Sequence, residues 1–127
     1  GIVIGGGIGC QDQLWRNEEL IDIANKIGNN GKFAAAICLA PVILGEAGLL
    51  NGKKATTLPT PACLRVLELD NAEVLTDNVV VDGNIITAKS PFDAKAFAEA
   101  MDGEGDHVEL SGKVVIVGTE QGVKDAK

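Results

Sequence analysis

Three cysteines and one histidine are the side chains of this 127-residue chain best able to attack a carbon or carry a proton near neutral pH. Cys10, Cys38 and Cys63 have no C-x-x-C spacing, and His107 completes no familiar zinc pattern with them. An odd cysteine count does not read as a disulfide framework, so the chain is expected in a reducing, cytoplasmic setting with no bound metal. Cys38 stands out by its surroundings. The apolar run Phe33 to Ile37 ends at it, and Pro41 opens a helix within three residues. That is the layout of a nucleophile elbow, a strand-to-helix turn so tight that small residues are needed two positions either side. Ala36 and Ala40 supply them. A helix N-terminus beside the sulfur favours the thiolate, the form that attacks carbonyl carbon. On spacing alone, the competing reading is a buried cysteine packed as a small hydrophobe.

A second strand end could complete such a site. Ile2 to Ile4 runs into Gly5-Gly6-Gly7-Ile8-Gly9. The cluster is either a turn too tight for side chains or a row of bare N–H groups, with those of Gly6 and Gly7 facing a cleft as an oxyanion site requires. It is no dinucleotide fingerprint, because Cys10 takes the place of the last glycine, and Gly48 to Lys54 is one residue short of a phosphate loop. No cofactor is expected. Cys10 is read as lining the cleft or packed, Cys63 as the start of a short helix, and Asp12, Glu18 and Glu19 as solvated charges.

These side chains need a frame. Asn17 reads as an N-cap for a helix carrying Leu20, Ile23, Ala24 and Ile27 on one face and stopped by Gly28. A continuous apolar strand follows, then helices over Pro41–Ala47 and Ala62–Leu69, with a strand over Lys54–Leu58 between them. Val79–Val81 and Asn84–Ala88 flank Asp82-Gly83, a hairpin signal with a type I′ turn. Ser90-Pro91-Phe92-Asp93 starts a helix to about Met101, and Lys113–Val117 is a last strand. Alternating strands and helices over short connections predict an open α/β sheet covered on both faces. Acidic residues outnumber basic ones for a net charge of −7, and four aromatics are too few for a base-stacking platform, so no nucleic-acid partner is expected. No run approaches the roughly 20 apolar residues that span a bilayer, so no membrane partner is expected either.

IVIGGGIG at 2–9, AAAICLAPVILGEAGLLNGKKAT at 34–56 and VVVDGNIITAKSPFDAKAFAEAM at 79–101 together resemble the PfpI superfamily. That superfamily holds intracellular cysteine peptidase-like proteins, deglycase and chaperone relatives and, more distantly, class I glutamine amidotransferases. The resemblance implies an α/β flavodoxin-like three-layer sandwich with a mostly parallel sheet and a β-hairpin element. It implies Cys38 as the elbow nucleophile and an oxyanion hole from the backbone N–H groups of Gly7 and Leu39. It implies a homodimer or larger homo-oligomer. It divides the chain into residues 1–101, the C-terminal two-thirds of a PfpI-like domain, a linker over 102–112, and an extra strand over 113–127.

Departures from the family pattern narrow the chemistry. The peptidase branch carries histidine directly after the nucleophile, where this chain has Leu39. Relatives hold the cysteine with a glutamate from the turn after their first strand, and the N-terminal strand–helix–strand unit that carries it is read as missing, so residues 1–127 are expected to belong to a longer chain or to pair with another segment. His107-Val108-Glu109 has the H-x-E spacing of the amidotransferase triad but follows a Gly/Asp linker, the context of a solvated loop histidine. Gly112 to Asp125 resembles the family's first strand and turn. It is read as the start of a second copy, as the first strand supplied by permutation or by a neighbouring chain, or as an added edge strand. The leading functional expectation is a cysteine-dependent enzyme acting on a small carbonyl or acyl substrate, glyoxalase- or deglycase-like or a weak hydrolase. The alternative is a redox-sensing or chaperone-like protein whose Cys38 oxidises to a sulfinic acid.

Overall fold

A computed structural model of the chain describes residues 1–5, 15–105 and 115–117. Its elements are β1 (Ile2–Ile4), α1 (Glu18–Asn29), β2 (Ala34–Ile37), α2 (Pro41–Glu46), β3 (Lys54–Ala55), α3 (Pro61–Leu69), β4 (Glu73–Val74), β5 (Val79–Asp82), β6 (Ile85–Ala88), a 3-10 turn over Pro91–Asp93, α4 (Ala94–Gly105) and β7 (Val115–Val117). The main sheet runs β5-β6-β2-β1-β7, parallel throughout except for the β5–β6 hairpin. The short pair β3–β4 lies apart, joined to β5 where Asp82 accepts a hydrogen bond from the Lys54 N–H at 2.8 Å.

Alternation along the central strands divides the core in two. Ile2, Ile4, Ala34, Ala36 and Ile85 face one side, where Leu20 and Ala24 of α1, Val42, Ile43 and Leu44 of α2, and Cys63 and Leu67 of α3 pack. Val3, Ala35, Ile37, Ile86 and Ala88 face the other, under Phe33 and under Phe97 of α4. Strands buried on both faces carry no polar alternation, which is why residues 33–37 read as an unbroken apolar run. The result is the expected three-layer α/β sandwich.

Local signals place the helices. The Asn17 side chain accepts from the Leu20 N–H at 3.0 Å, and the Thr60 hydroxyl accepts from the Cys63 N–H at 3.1 Å with Pro61 at the first helical position. Asp93 reaches back to the Ser90 N–H and hydroxyl ahead of α4. Gly28, expected as the stop of α1, instead lies inside its last turn. A Cβ there would stand 2.5 Å from Leu49, so this glycine serves close packing, and the chain reverses at Gly31 with φ +78°.

Other elements depart from expectation in instructive ways. The hairpin loop is Gly83-Asn84, one residue later than expected, because Asp82 pairs with Ile85. Of the two loop residues only Gly83 has positive φ, which belongs to a type II′ turn and not to I′. The Asn84 amide then donates to the Gly28 and Lys32 carbonyls at 2.9 and 2.8 Å, tying the hairpin to the loop before β2. The strand expected over Lys54–Leu58 stops at Ala55 because its partner, β4, is two residues long. Helix α4 continues to Gly105, past the expected linker boundary. A single internal glycine costs a helix only about 1 kcal/mol, less than a stop requires. The residues 115–117 form an edge strand parallel to β1, in the register Ile2↔Val115 and Ile4↔Val117. Among the described residues no helix is long and apolar enough to cross a membrane.

Asp70, just past the C-terminus of α3, lies against α2. One carboxylate oxygen is buried without a hydrogen bond among the described residues, and a Cβ on Gly45 would come within 2.5 Å of it. Burial first, then the Glu46 charge, raises its pKa above the ordinary carboxylate value. A carboxyl with a raised folded pKa binds more protons folded than unfolded, so stability falls as pH rises from the unfolded value through the folded one. Asp70→Asn is therefore expected to raise the urea midpoint at pH 7, with the gain shrinking as pH drops below the carboxylate range. Equal gains at both ends of that pH series would contradict the assignment. Asn84→Ala, which deletes both amide bonds, is expected to lower stability by about 1–3 kcal/mol in the same assay.

Candidate active site

Cys38 follows the last residue of β2 and has φ +66°, the left-handed region that a residue with a Cβ rarely enters. A strand, one left-handed residue and a helix from Pro41 turn the chain sharply over the carboxyl end of the sheet, where open parallel sheets bind ligands. Room for the turn comes from Ala36 and Ala40, both fully buried. Cys38, 6% exposed, belongs to the core layer that holds Phe97, against which Leu39, Leu58 and Val79 also pack.

The strained backbone is held from several sides. The Cys38 N–H donates to the Ala88 carbonyl at 3.0 Å, which extends the β2–β6 ladder by one bond. The Cys38 carbonyl accepts the Leu58 N–H at 2.9 Å and the Thr57 hydroxyl at 2.8 Å. The Ala40 N–H closes a turn onto the Ile37 carbonyl at 3.1 Å. Trp15 donates its indole N–H to the Leu39 carbonyl at 2.7 Å, pinning the residue after the cysteine. Between these tied groups, the Leu39 N–H meets no backbone acceptor among the described residues. A free N–H beside a nucleophile is what an anionic oxygen needs.

Thr56, Thr57 and Thr87, nearly or fully buried, form a polar seam behind the turn. Thr87 on β6 accepts from the Thr56 N–H at 2.9 Å, and the Thr56 hydroxyl has no partner among the described residues. Sequence reading passed over these threonines as part of a strand. The available signal was a Thr-Thr step at a strand end, where a hydroxyl can reach a carbonyl that a turn leaves unpaired.

The other residues singled out in the sequence lie outside the described residues or away from Cys38. Gly7, Cys10, Asp12, His107 and Glu109 lie outside the described residues. Cys63 is fully buried in the opposite core layer from Cys38 and is not part of the site. Glu18 lines a separate groove of about 340 Å³ between α1 and α2, with Asp22, Asn25 and Glu46, and Glu19 is exposed at the first turn of α1. Among the described residues no group of three His, Cys, Asp or Glu side chains is placed to hold a metal ion.

Comparison with known proteins gives consistent matches. The family model for the DJ-1/PfpI family matches residues 1–102. An uncharacterised protein of Methanocaldococcus jannaschii is 49% identical over 96 residues, covering 76% of this chain and 47% of that protein. A deglycase of Pyrococcus horikoshii is 36% identical over 98 residues, covering 76% of this chain and 56% of the deglycase. The crystal structure of a ThiJ/PfpI domain protein from Brachyspira murdochii superposes with a TM-score of 0.78 at 34% identity, covering 85% of this chain and 61% of that one. The chain thus spans about half the length of the curated relatives it matches.

Limiting iodoacetamide is expected to label Cys38 ahead of the fully buried Cys63, as read by peptide mass spectrometry. Trp15 is the chain's one tryptophan, so its emission reports on the turn. Alkylating Cys38 is expected to shift that emission, and the shift is expected to vanish in Cys38→Ser.

Proposed function

The chain belongs to the DJ-1/PfpI family, and from that premise we propose that it is the part of a deglycase-like enzyme that carries the nucleophile, with Cys38 attacking a small carbonyl or acyl substrate. The observation that carries this reading is the left-handed cysteine at the end of β2, followed by a residue whose N–H meets no backbone acceptor among the described residues. Strain of this kind costs about 1–3 kcal/mol and clusters at functional sites. A cysteine kept only as core filler has no need of it.

The chemistry follows for a 2-oxoaldehyde such as methylglyoxal. The Cys38 thiolate adds to the aldehyde carbon, a C–S bond forms, and the carbonyl electron pair moves to oxygen. The Leu39 N–H, with that of Gly7 as the resemblance implies, bears the negative charge until the oxygen takes a proton. A base then carries the proton from the aldehyde carbon to the neighbouring ketone carbon. The first is oxidised to a thioester and the second reduced to an alcohol. Water cleaves the thioester to a 2-hydroxy acid and returns the thiolate. We assign the base to the glutamate that relatives carry in the turn after their own first strand, in the N-terminal unit read as missing here. The site has Leu39 in place of the peptidase branch's histidine, which favours carbonyl chemistry over peptide cleavage. A homodimer or larger homo-oligomer, also implied by the resemblance, is part of the same proposal.

Methylglyoxal consumption, with 2-hydroxy acid release, is expected from the whole protein and is expected to fall to background in Cys38→Ser. His107→Ala is expected to leave the rate near that of the parent, because the reading gives His107 no part in the proton transfer. A rate that survives Cys38→Ser would overturn the proposal. No turnover, joined to ready oxidation of Cys38 to a sulfinic acid, would favour the redox-sensing alternative.

A further inference from the structure

The peptide between Cys38 and Leu39 carries both the carbonyl that the fold grips and the N–H assigned above to the oxyanion. The described residues contain no cis peptide bond, so this unit is trans and planar, with its C=O and N–H pointing in opposite directions. Whatever fixes the carbonyl therefore aims the N–H. Two donors do so. The Leu58 N–H at 2.9 Å and the Thr57 hydroxyl at 2.8 Å occupy both lone pairs of the Cys38 oxygen. One bond alone would leave the plane free to pivot about it. A second donor on the same oxygen restricts that pivot.

We propose that Thr57 is a positioning residue of this site, whose hydroxyl, by holding the Cys38 carbonyl, aims and polarises the Leu39 N–H toward the oxygen on which charge develops. The proposal rests on the reading of Cys38 as nucleophile. Thr57 is 2% exposed, so its bond is made in a dry, low-dielectric setting where water does not compete. A donor on the carbonyl draws electron density from the amide nitrogen and makes the opposite N–H a stronger donor, the cooperative strengthening seen in hydrogen-bonded chains. The seam behind it supports this geometry. Thr87 holds the Thr56 N–H, and the Leu58 N–H is bound to the same carbonyl, so the backbone on both sides of Thr57 is fixed. Thr57 touches no reacting atom and acts only through the peptide it holds.

Two reagents separate aiming from mere support. p-Nitrophenyl acetate acylates a thiolate: the C–S bond forms, a tetrahedral oxyanion appears, and p-nitrophenolate leaves as the carbonyl reforms. Iodoacetamide alkylates the same sulfur by direct displacement of iodide, with no oxyanion. In the purified protein, Thr57→Val is expected to slow acylation of Cys38 by about tenfold, below the loss typical of deleting an oxyanion donor outright because the donor itself remains. The alkylation rate and its pH profile are expected to stay unchanged, and Thr57→Ser, which keeps the hydroxyl, is expected to restore acylation. Thr57→Ala is measured in parallel in case the valine variant fails to fold. Equal slowing of both reactions, no slowing of either, or loss of folding in both variants would overturn the proposal and leave the Cys38 reading standing. Acylation that persists in Cys38→Ser would instead overturn the Cys38 reading, and this proposal with it.

Discussion

Three alanines at the centre of the sheet set the terms for everything around them. Ala34, Ala35 and Ala36 are fully buried, with methyl groups where most central strands carry branched side chains. The strand fills little of either core layer, so its neighbours must come close and be large. Phe33 and Phe97 supply the bulk on one face, and Ile43 and Leu44 of α2 supply it on the other. That proximity lets a helix as short as α2 begin with only three residues between it and the end of the strand. With a longer side chain at position 36 the turn through Cys38 would have no room, and the strained cysteine would lose the packing that holds it.

The strain at Cys38 is distributed over structure drawn from across the chain. Its N–H is tied to β6, its carbonyl to the segment after β3, and the next carbonyl to Trp15 before α1. A left-handed residue with a Cβ persists only when its surroundings over-determine it. Three independent segments meet that condition here, and all three converge on the carboxyl end of the sheet. The site is thus a joint property of the fold's topology. No single segment contains it.

Much of this was legible in the sequence, for physical reasons that differ between elements. The Asn17 cap, the apolar run into Cys38, Ala36 and Ala40 around it, and Pro41 after it are local signals, and local backbone chemistry decides them. The family resemblance supplied the three-layer order. The errors came where tertiary packing decides. Gly28 looked like a helix stop but is a close contact with Leu49. Asp82-Gly83 looked like a complete turn, but pairing of Asp82 with Ile85 moved the loop by one residue. The Thr-Thr step hints at a role for Thr57 but does not name its partner, a carbonyl 19 residues away in sequence. No periodicity or spacing rule marks which carbonyl a turn will leave open.

The meeting of Gly45 with Asp70 constrains how such a sequence can change over time. The methyl group of an alanine at position 45 would occupy space that a carboxylate oxygen already holds. A larger residue at 45 requires the end of the partly buried Asp70 side chain to swing aside. A substitution at 45 would be accommodated more readily alongside a smaller residue at 70 than alongside aspartate, so the effects of the two changes are not additive. The two helices therefore drift with their contact positions coupled, and the effect of a change at 45 depends on which residue stands at 70.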